Sequence, residues 1–446
     1  MKKKAALHNL GCKVNAYETE AMQQMLEKAG YEIVPFTGYA DVYVINTCSV
    51  TNMADRKSRQ MLHKAKKENP KSVVVAAGCY VQTSPQNAAL DEAIDIVIGN
   101  NRKNELVEIL REYMDGREDE KKEDNIFVRD INSGKEAYER LSLERTAEHT
   151  RAFLKVQDGC NQFCSYCIIP YARGRIRSPK ISEVTEEITA LVKSGCREVV
   201  LTGIHLSSYG LDHGEDLLEL IRAVHGIEGI DRIRLGSLEP NIITEAFVKT
   251  ISGLKKVCPH FHLSLQSGCD ATLKRMNRKY DTRMFEEKCE ILRRYYEHPA
   301  ITTDVIVGFP GETEEEFAQT KEFLEKIHFY EMHIFKYSKR KGTKAAGMEA
   351  QTPEAVKAER SAVLLEMARK MSEEFREYYV GREKTVLLEE KIAYEGQTYF
   401  TGYTEEYVKV AVRTAGNLEN HIVKGKISDK LKKEIYLMVE ISDNVY

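Results

Sequence analysis

From residue 153 onward the chain repeats one pattern, a short apolar run followed by a helical stretch, and this repeat dictates its architecture. The runs are Phe153–Val156, Glu198–Thr202, Arg232–Leu235, His260–Leu265, Thr302–Val307 and Met332–Phe335. Helical patterns fall between them near 183–194, 215–225, 242–252, 282–297 and 313–327. Strands alternating with helices imply a parallel sheet covered by helices, an α/β fold. Six such units are too few to close an eight-stranded barrel. The expected form is a partial, TIM-like (β/α)6 barrel with its chemistry on the loops after the strands.

The first hundred residues carry the same rhythm. Lys4–Leu10 reads as a strand and Glu18–Ala29 as a helix closed by Gly30. Val42–Thr47, Val73–Gly78 and Ile94–Ile98 read as further buried strands, with a polar helix from Asn52 to Glu68, giving an N-terminal parallel α/β unit. Glu112–Asp124 then holds seven acidic and three basic residues, the composition of a solvated linker. Beyond the six units, Thr352 as cap and Pro353 in the first turn open a long helix, with Leu364, Ala368, Met371 and Phe375 on one face and Gly381 to end it. From Lys384 the chain turns to short Val/Tyr/Ile-rich strands, which suggests a small β-barrel. The expected domains are 1–124, 145–377 and 378–446, in line with a length of 446 residues.

No run of eighteen apolar residues exists, so a transmembrane helix is excluded and no membrane partner is expected. The opening MKKKAALHNLG has neither an apolar core segment nor a cleavage pattern, so secretion is not expected and a cytoplasmic protein is. In a reducing compartment the ten cysteines are metal ligands, catalytic groups or buried thiols rather than disulfides.

Three of them form Cys160-Asn-Gln-Phe-Cys164-Ser-Tyr-Cys167, just after the first strand of the repeat. Three thiolates so close can hold three corners of a 4Fe-4S cluster and leave one iron open to a substrate or cofactor. A zinc knuckle would need a fourth ligand, and no second CxxC half is present. Three more cysteines occupy equivalent places: Cys12, Cys48 and Cys79 each follow a strand of the N-terminal unit. Singly each reads as a buried thiol. Together they sit where an open α/β sheet gathers its ligands. Cys196, Cys258, Cys269 and Cys289 read as structural.

The extended stretch Gly159–Pro170 around CxxxCxxC resembles the methylthiotransferase branch of the radical S-adenosylmethionine (SAM) superfamily. That resemblance implies two 4Fe-4S clusters. Cys160, Cys164 and Cys167 would hold the one that chelates and splits SAM. Cys12, Cys48 and Cys79 would hold an auxiliary cluster that takes part in delivering sulfur. A cofactor-derived radical is what an unactivated C–H bond demands. Gly11-Cys12-Lys13-Val14-Asn15, with Glu18 beyond, resembles the GCKVN form of the branch acting on N6-threonylcarbamoyladenosine at tRNA position 37. The branch acting on isopentenyladenosine usually carries GCQMN, and the one acting on a ribosomal-protein aspartate carries GCPKN.

The same resemblance implies SAM contacts at Tyr166, Gly203, Ser237, Glu239, Gln266, Ser267, Gly308 and Pro310. The segments are Gly236-Ser237-Leu238-Glu239-Pro240, Gln266-Ser267-Gly268 and Gly308-Phe309-Pro310-Gly311-Glu312-Thr313. One departure stands out. Many radical SAM enzymes carry Gly-Gly-Glu after the second barrel strand to bind the SAM amino group, whereas this chain has Leu201-Thr202-Gly203-Ile204-His205.

A net charge of −3 conceals local patches. Residues 56–71, 151–180, 271–283 and 332–345 together hold 23 basic and 3 acidic residues, a footprint suited to RNA phosphates. Lys339 and Arg340, within a stretch that matches a family YSxRxGT segment, are candidate substrate contacts, Arg340 or a neighbour for the threonylcarbamoyl carboxylate. The C-terminal barrel resembles a TRAM RNA-binding domain. Most of its aromatics, Tyr399, Phe400, Tyr403 and Tyr407, are expected in its core. The expected activity is methylthiolation of C2 of the modified adenosine in the tRNA anticodon loop, with a reductant such as flavodoxin or ferredoxin and a sulfur source as partners. The rivals are the isopentenyladenosine and ribosomal-protein activities, and a non-catalytic iron–sulfur or zinc protein that binds RNA.

Overall fold

The computed structural model describes residues 2–116, 125–134, 136–146, 150–414 and 416–442. The first sheet comprises β1 (Lys4–Asn9), β2 (Glu32–Ile33), β3 (Val42–Thr47), β4 (Val73–Gly78), β5 (Ile96–Ile98) and β6 (Ile126–Phe127), all parallel in the order β2-β1-β3-β4-β5-β6. β3 and β4 are buried at every position. Alternation sends Val42, Val44, Val73 and Val75 to one apolar cluster and Tyr43, Ile45, Val74 and Ala76 to another. Helix α1 (Lys13–Lys28) covers the first face through Met22 and Leu26. Helix α2 (Asn52–Glu68) covers the second through Leu62 and Ala65. α1 begins five residues earlier than the apolar pattern suggests, because Cys12 in extended backbone caps it. The expected acidic linker is partly helical: Glu112–Asp115 form the last turn of the helix Leu106–Asp115, and 117–124 lie outside the described residues.

The repeat forms β7 (Arg151–Gln157), β8 (Glu198–Gly203), β9 (Arg232–Leu235), β10 (His260–His262), β11 (Ala300–Val307) and β12 (Glu331–Lys336). They make two parallel three-stranded sheets, β7-β8-β9 and β10-β11-β12, joined by the bridges Ile233–Val257 and Leu238–Leu263 into a partial six-stranded barrel. Its core also takes in Tyr17 and Ala21 of α1 together with Leu141 and Leu143, so the N-terminal unit and the barrel share apolar packing.

The long helix runs Glu354–Glu377. Its cap is Pro353 rather than the expected Thr352, whose hydroxyl donates to the Phe309 carbonyl at 3.2 Å. It ends at Glu377, short of Gly381. That glycine takes φ +82° and donates its N–H to Ile427, entering the last domain. There β13 (Glu383–Tyr394), β14 (Gln397–Thr404), β15 (Lys409–Arg413), β16 (Ile422–Lys432) and β17 (Ile435–Ser442) close a barrel in the order β13-β14-β15-β17-β16. Tyr399 and Phe400 are buried in it as expected, whereas Tyr403 and Tyr407 turn toward the partial barrel. Arg234 of β9 donates to the carbonyls of Thr404 and Glu405, both at 2.7 Å, and Arg232 to that of Tyr403 at 2.8 Å. Tyr407 lies on His260 with ring centroids 4.9 Å apart. The small barrel thus seals the end of the partial barrel where the strands begin. Among the described residues no helix is long and apolar enough to cross a membrane.

Candidate active site

Cys12, Cys48 and Cys79 stand at the C-terminal ends of β1, β3 and β4, and the parallel register carries them to one edge of the first sheet. Gly11 shows how tightly the loops meet. It adopts φ +103°, and a Cβ on it would lie 2.8 Å from the Cys48 Sγ. The thiols lie within electrostatic reach of one another. Burial pushes the Cys48 thiol up to about 12. Cys12 keeps accessible surface yet is surrounded by protein, which pushes its thiol up too. Asn15 approaches the Cys12 Sγ at 3.9 Å, and Asn100 Nδ2 approaches the Cys79 Sγ at 3.5 Å.

The second triad sits on the loop after β7. Gly159, at φ +71°, passes so close to the Arg175 carbonyl that a Cβ would collide with it. The Cys160 Sγ accepts the Gln162 N–H at 3.4 Å, and the Cys164 Sγ accepts from Arg278 Nη1 at 3.1 Å. Burial pushes Cys160 up to about 11 and Cys167 up to about 12. Arg278 Nη2 also donates to both carboxylate oxygens of Glu239, at 3.0 and 3.1 Å. Glu239 in turn meets His205 Nε2 at 3.1 Å. Burial alone would raise the Glu239 carboxyl, but the His205 hydrogen bond and the Arg278 charge hold it below its usual range. Arg278, Glu239 and His205 therefore brace the loop from below.

A buried charge network ties the two triads together. Glu18 of α1 is fully buried and pairs with Arg173 at 2.8 Å, Lys103 at 2.9 Å and Lys155 at 3.1 Å. Arg173 also meets Asp158 at 3.2 Å and donates to Asn15 Oδ1 at 2.6 Å. Lys103 donates to Asn100 Oδ1 at 2.6 Å. Burial would raise the Glu18 carboxyl, and the three cations hold it well below the carboxylate range. Asn15 and Asn100 touch the first triad, while Asp158 and Arg173 flank the second. One network thus fixes both loops, and removing one partner of such a buried ion cluster costs about 3–5 kcal/mol because it leaves an uncompensated charge.

The remaining expected contacts divide. Tyr166 packs edge-on against Phe309, with centroids 6.4 Å apart. Gly203 approaches Gln157 so closely that a Cβ would lie 2.8 Å from its side chain. Ser237 is exposed beyond β9, and Gln266, at φ +72°, bridges to Val305 of β11. Gly308 and Pro310 are buried after β11. Ser267 points away from the barrel mouth, its hydroxyl 3.2 Å from that of Thr320. Lys339 is exposed. Arg340 departs from expectation: it is buried and bound to Asp55 and Asn52 at 2.7 Å and to Ser49 at 2.8 Å, so its guanidinium is committed within the protein. Sequence reasoning missed Arg278, His205, Arg173 and Lys103. Their only signal is that Arg173 and Arg278 lie in the basic runs. Cys196, Cys258, Cys269 and Cys289 are buried apart from both triads.

Each triad offers three converging thiols, a donor set that fits an iron–sulfur cluster with an open corner. The chain matches the uncharacterized protein family UPF0004 over residues 4–99 and the radical SAM superfamily over 154–324. It is 41% identical to the threonylcarbamoyladenosine tRNA methylthiotransferase MtaB of Bacillus subtilis, over 95% of this chain and 93% of that one. It is 42% identical to MtaB of Aquifex aeolicus, over 91% and 98%. The tRNA-2-methylthio-N(6)-dimethylallyladenosine synthase of Clostridium tetani is 34% identical over 96% and 94%. The fold is similar to that of the radical SAM methyltransferase TsrM from Kitasatospora setae, solved with cobalamin and a [4Fe-4S] cluster bound, at a TM-score of 0.57 and 16% identity over 75% of each chain. SAM and 4Fe-4S clusters are the cofactors of this chemistry. With full-length relatives at this identity and both matched regions in place, the chain belongs to the threonylcarbamoyladenosine tRNA methylthiotransferase family of radical SAM proteins.

Proposed function

We infer that this protein methylthiolates C2 of N6-threonylcarbamoyladenosine at position 37 of tRNA, giving the 2-methylthio derivative. The observation that carries this reading is the pairing of two cysteine triads through the Glu18–Arg173 network, which ties the loops that carry them to one set of buried charges. In it, Cys160, Cys164 and Cys167 hold the SAM-cleaving cluster, and Cys12, Cys48 and Cys79 hold the auxiliary one. When bound, the clusters supply electron transfer to SAM and sulfur for the base. The protein's own groups do the rest. Arg278, Glu239 and His205 keep the first loop in place, and the glycine turns let backbone approach SAM beside Tyr166.

The RNA face follows from charge. Arg56, Lys57 and Arg59 of α2 are exposed, as are Lys339 and Lys341. The two elements are joined where Asn52 bonds Ser338 and the Lys339 carbonyl, each at 3.1 Å. This continuous basic edge lies next to Cys48 and suits the phosphates of an anticodon stem. The segments 1–124, 145–377 and 378–446 serve as sulfur-donating, radical-generating and TRAM-type RNA-binding domains. The protein works in the cytoplasm with a reductant such as flavodoxin or ferredoxin and a separate sulfur source.

The test is anaerobic reconstitution followed by metal analysis and nucleoside mass spectrometry. About eight irons per chain are expected, falling to about four when Cys160, Cys164 and Cys167 are replaced by alanine. The loaded enzyme with SAM and a reductant converts threonylcarbamoyladenosine in tRNA to its 2-methylthio form. Zinc in place of iron, or an unchanged nucleoside, overturns the reading.

A further inference from the structure

The lumen beneath the barrel mouth is polar, unlike the branched apolar filling usual in such barrels. On β10, β11 and β12 the residues Phe261, Ile301, Val305 and Met332 pack in the helix-covered core. Alternation therefore turns His262, Thr302, Asp304, His333 and Phe335 inward. Register sets Asp304 beside His333 and His262 beside Thr302. His262 Nδ1 lies 2.9 Å from the Thr302 hydroxyl, and its Nε2 lies 3.4 Å from Asp304 Oδ2. The rings of His262 and His333 stack 5.9 Å apart. One ligand atom from each of His262, Asp304 and His333 falls within 4.8 Å of the others, close enough for all three to address one small polar group. One layer nearer the mouth, Phe335 is 45% exposed, a free aromatic face. One layer deeper, Arg234 and the small barrel form the floor.

A cation of the N-terminal unit faces this space. Lys13, next to Cys12, lies within electrostatic reach of Arg151, Arg234, Asp304 and Glu331. These residues stand on four different barrel strands, so the Lys13 side chain extends from the N-terminal unit toward the space they enclose. It is exposed, and it forms no ion pair or side-chain hydrogen bond among the described residues.

We propose that Lys13, His262, Asp304 and His333 form a specificity site that reads the polar N6 substituent of the target adenosine, with Phe335 stacked on the base. This rests on the reading above. A threonylcarbamoyl group brings a carboxylate for Lys13 and N–H and O–H donors for Asp304, while the histidines meet its oxygens. The dimethylallyl group named for the Clostridium tetani relative is hydrocarbon alone. In this lumen it would strip water from a lysine and an aspartate and give them nothing in return. A site built for hydrogen bonds rejects an analogue that lacks them for that reason.

The test is binding of anticodon stem-loop RNAs to the full-length, cluster-loaded protein. One RNA sequence carries threonylcarbamoyladenosine, dimethylallyladenosine or plain adenosine at the target position. The wild type is expected to prefer the threonylcarbamoyl RNA by about tenfold or more over either alternative. Lys13→Gln and Asp304→Asn each bring that ratio close to one, and His333→Leu moves it toward dimethylallyl. The ratio is the readout because lost iron or misfolding weakens all three RNAs together. If the variants keep the wild-type ratio while the wild type converts threonylcarbamoyladenosine, the lumen site is wrong and the function stands. If the wild type converts only dimethylallyladenosine, the function fails and the site with it.

Discussion

At the residue scale the seam between the N-terminal unit and the barrel is set by groups whose protonation depends on burial. Glu187, on the barrel helix Ile181–Lys193, accepts the Leu143 N–H at 2.7 Å and the Tyr17 hydroxyl at 3.1 Å. Burial outweighs both bonds and raises its carboxyl to about 7. A carboxyl raised on folding binds its proton more tightly in the native state than in the unfolded one. Its contribution is therefore most favourable below the unfolded value near 4.5 and is lost as pH rises toward 7. Glu187→Gln keeps the acceptor oxygen and removes the charge. It should raise stability at pH 8 by on the order of 1 kcal/mol and change it little at pH 4.5, as denaturant melts at the two values would show. An equal shift at both pH values would mean that Glu187 is ionised throughout.

At the element scale Arg340 joins the loop after β12 to the first turn of α2 through Asp55 and Asn52, beside the bond from the Asn52 N–H to the Ser338 hydroxyl. Arg340→Ala leaves Asp55 without its 2.7 Å partner and should open that turn by about 1–3 kcal/mol. Amide exchange at residues 52–55 should then rise by about ten- to a hundredfold, with β3 and β4 unchanged. Uniform exchange across the chain would refute the assignment. A basic residue after the last barrel strand reads as surface, and nothing in the local sequence announces Arg340's partners 285 or more positions earlier. Elements that rest on local pattern were legible. Val42–Thr47, Val73–Gly78, Arg232–Leu235 and the helix from Asn52 to Glu68 lie where the apolar spacing puts them. The two-residue strands β2 and β6 carry too little pattern to be seen. The six cysteines of the two triads stood out because close spacing marks Cys160, Cys164 and Cys167 and strand ends locate Cys12, Cys48 and Cys79. Glu18 did not show its burial, because its partners Lys103, Lys155 and Arg173 meet it only through the fold.

At the scale of the whole molecule the small barrel is a structural stopper as well as a candidate RNA module. Arg234 reaches Glu198 at 2.6 Å on one side and two carbonyls of the small barrel on the other. Arg234→Ala leaves Glu198 buried with only Arg232, at 3.8 Å, and Arg151, at 3.7 Å, and should cost about 3–5 kcal/mol. Calorimetry should resolve a separate C-terminal transition in that variant where the wild type shows coupled melting. An unaltered single transition would place the docking energy elsewhere. The Glu18 network has a further consequence for synthesis of the chain. A nascent segment ending near residue 116 holds Glu18 with Lys103 alone, since Lys155 and Arg173 are translated later. The first sheet can form its apolar faces as it leaves the ribosome, yet its buried acid stays short of counter-charge until the CxxxCxxC loop has emerged. Translation order thus leaves the loop of Cys12 without its full set of buried charges until the loop of Cys160 has been made.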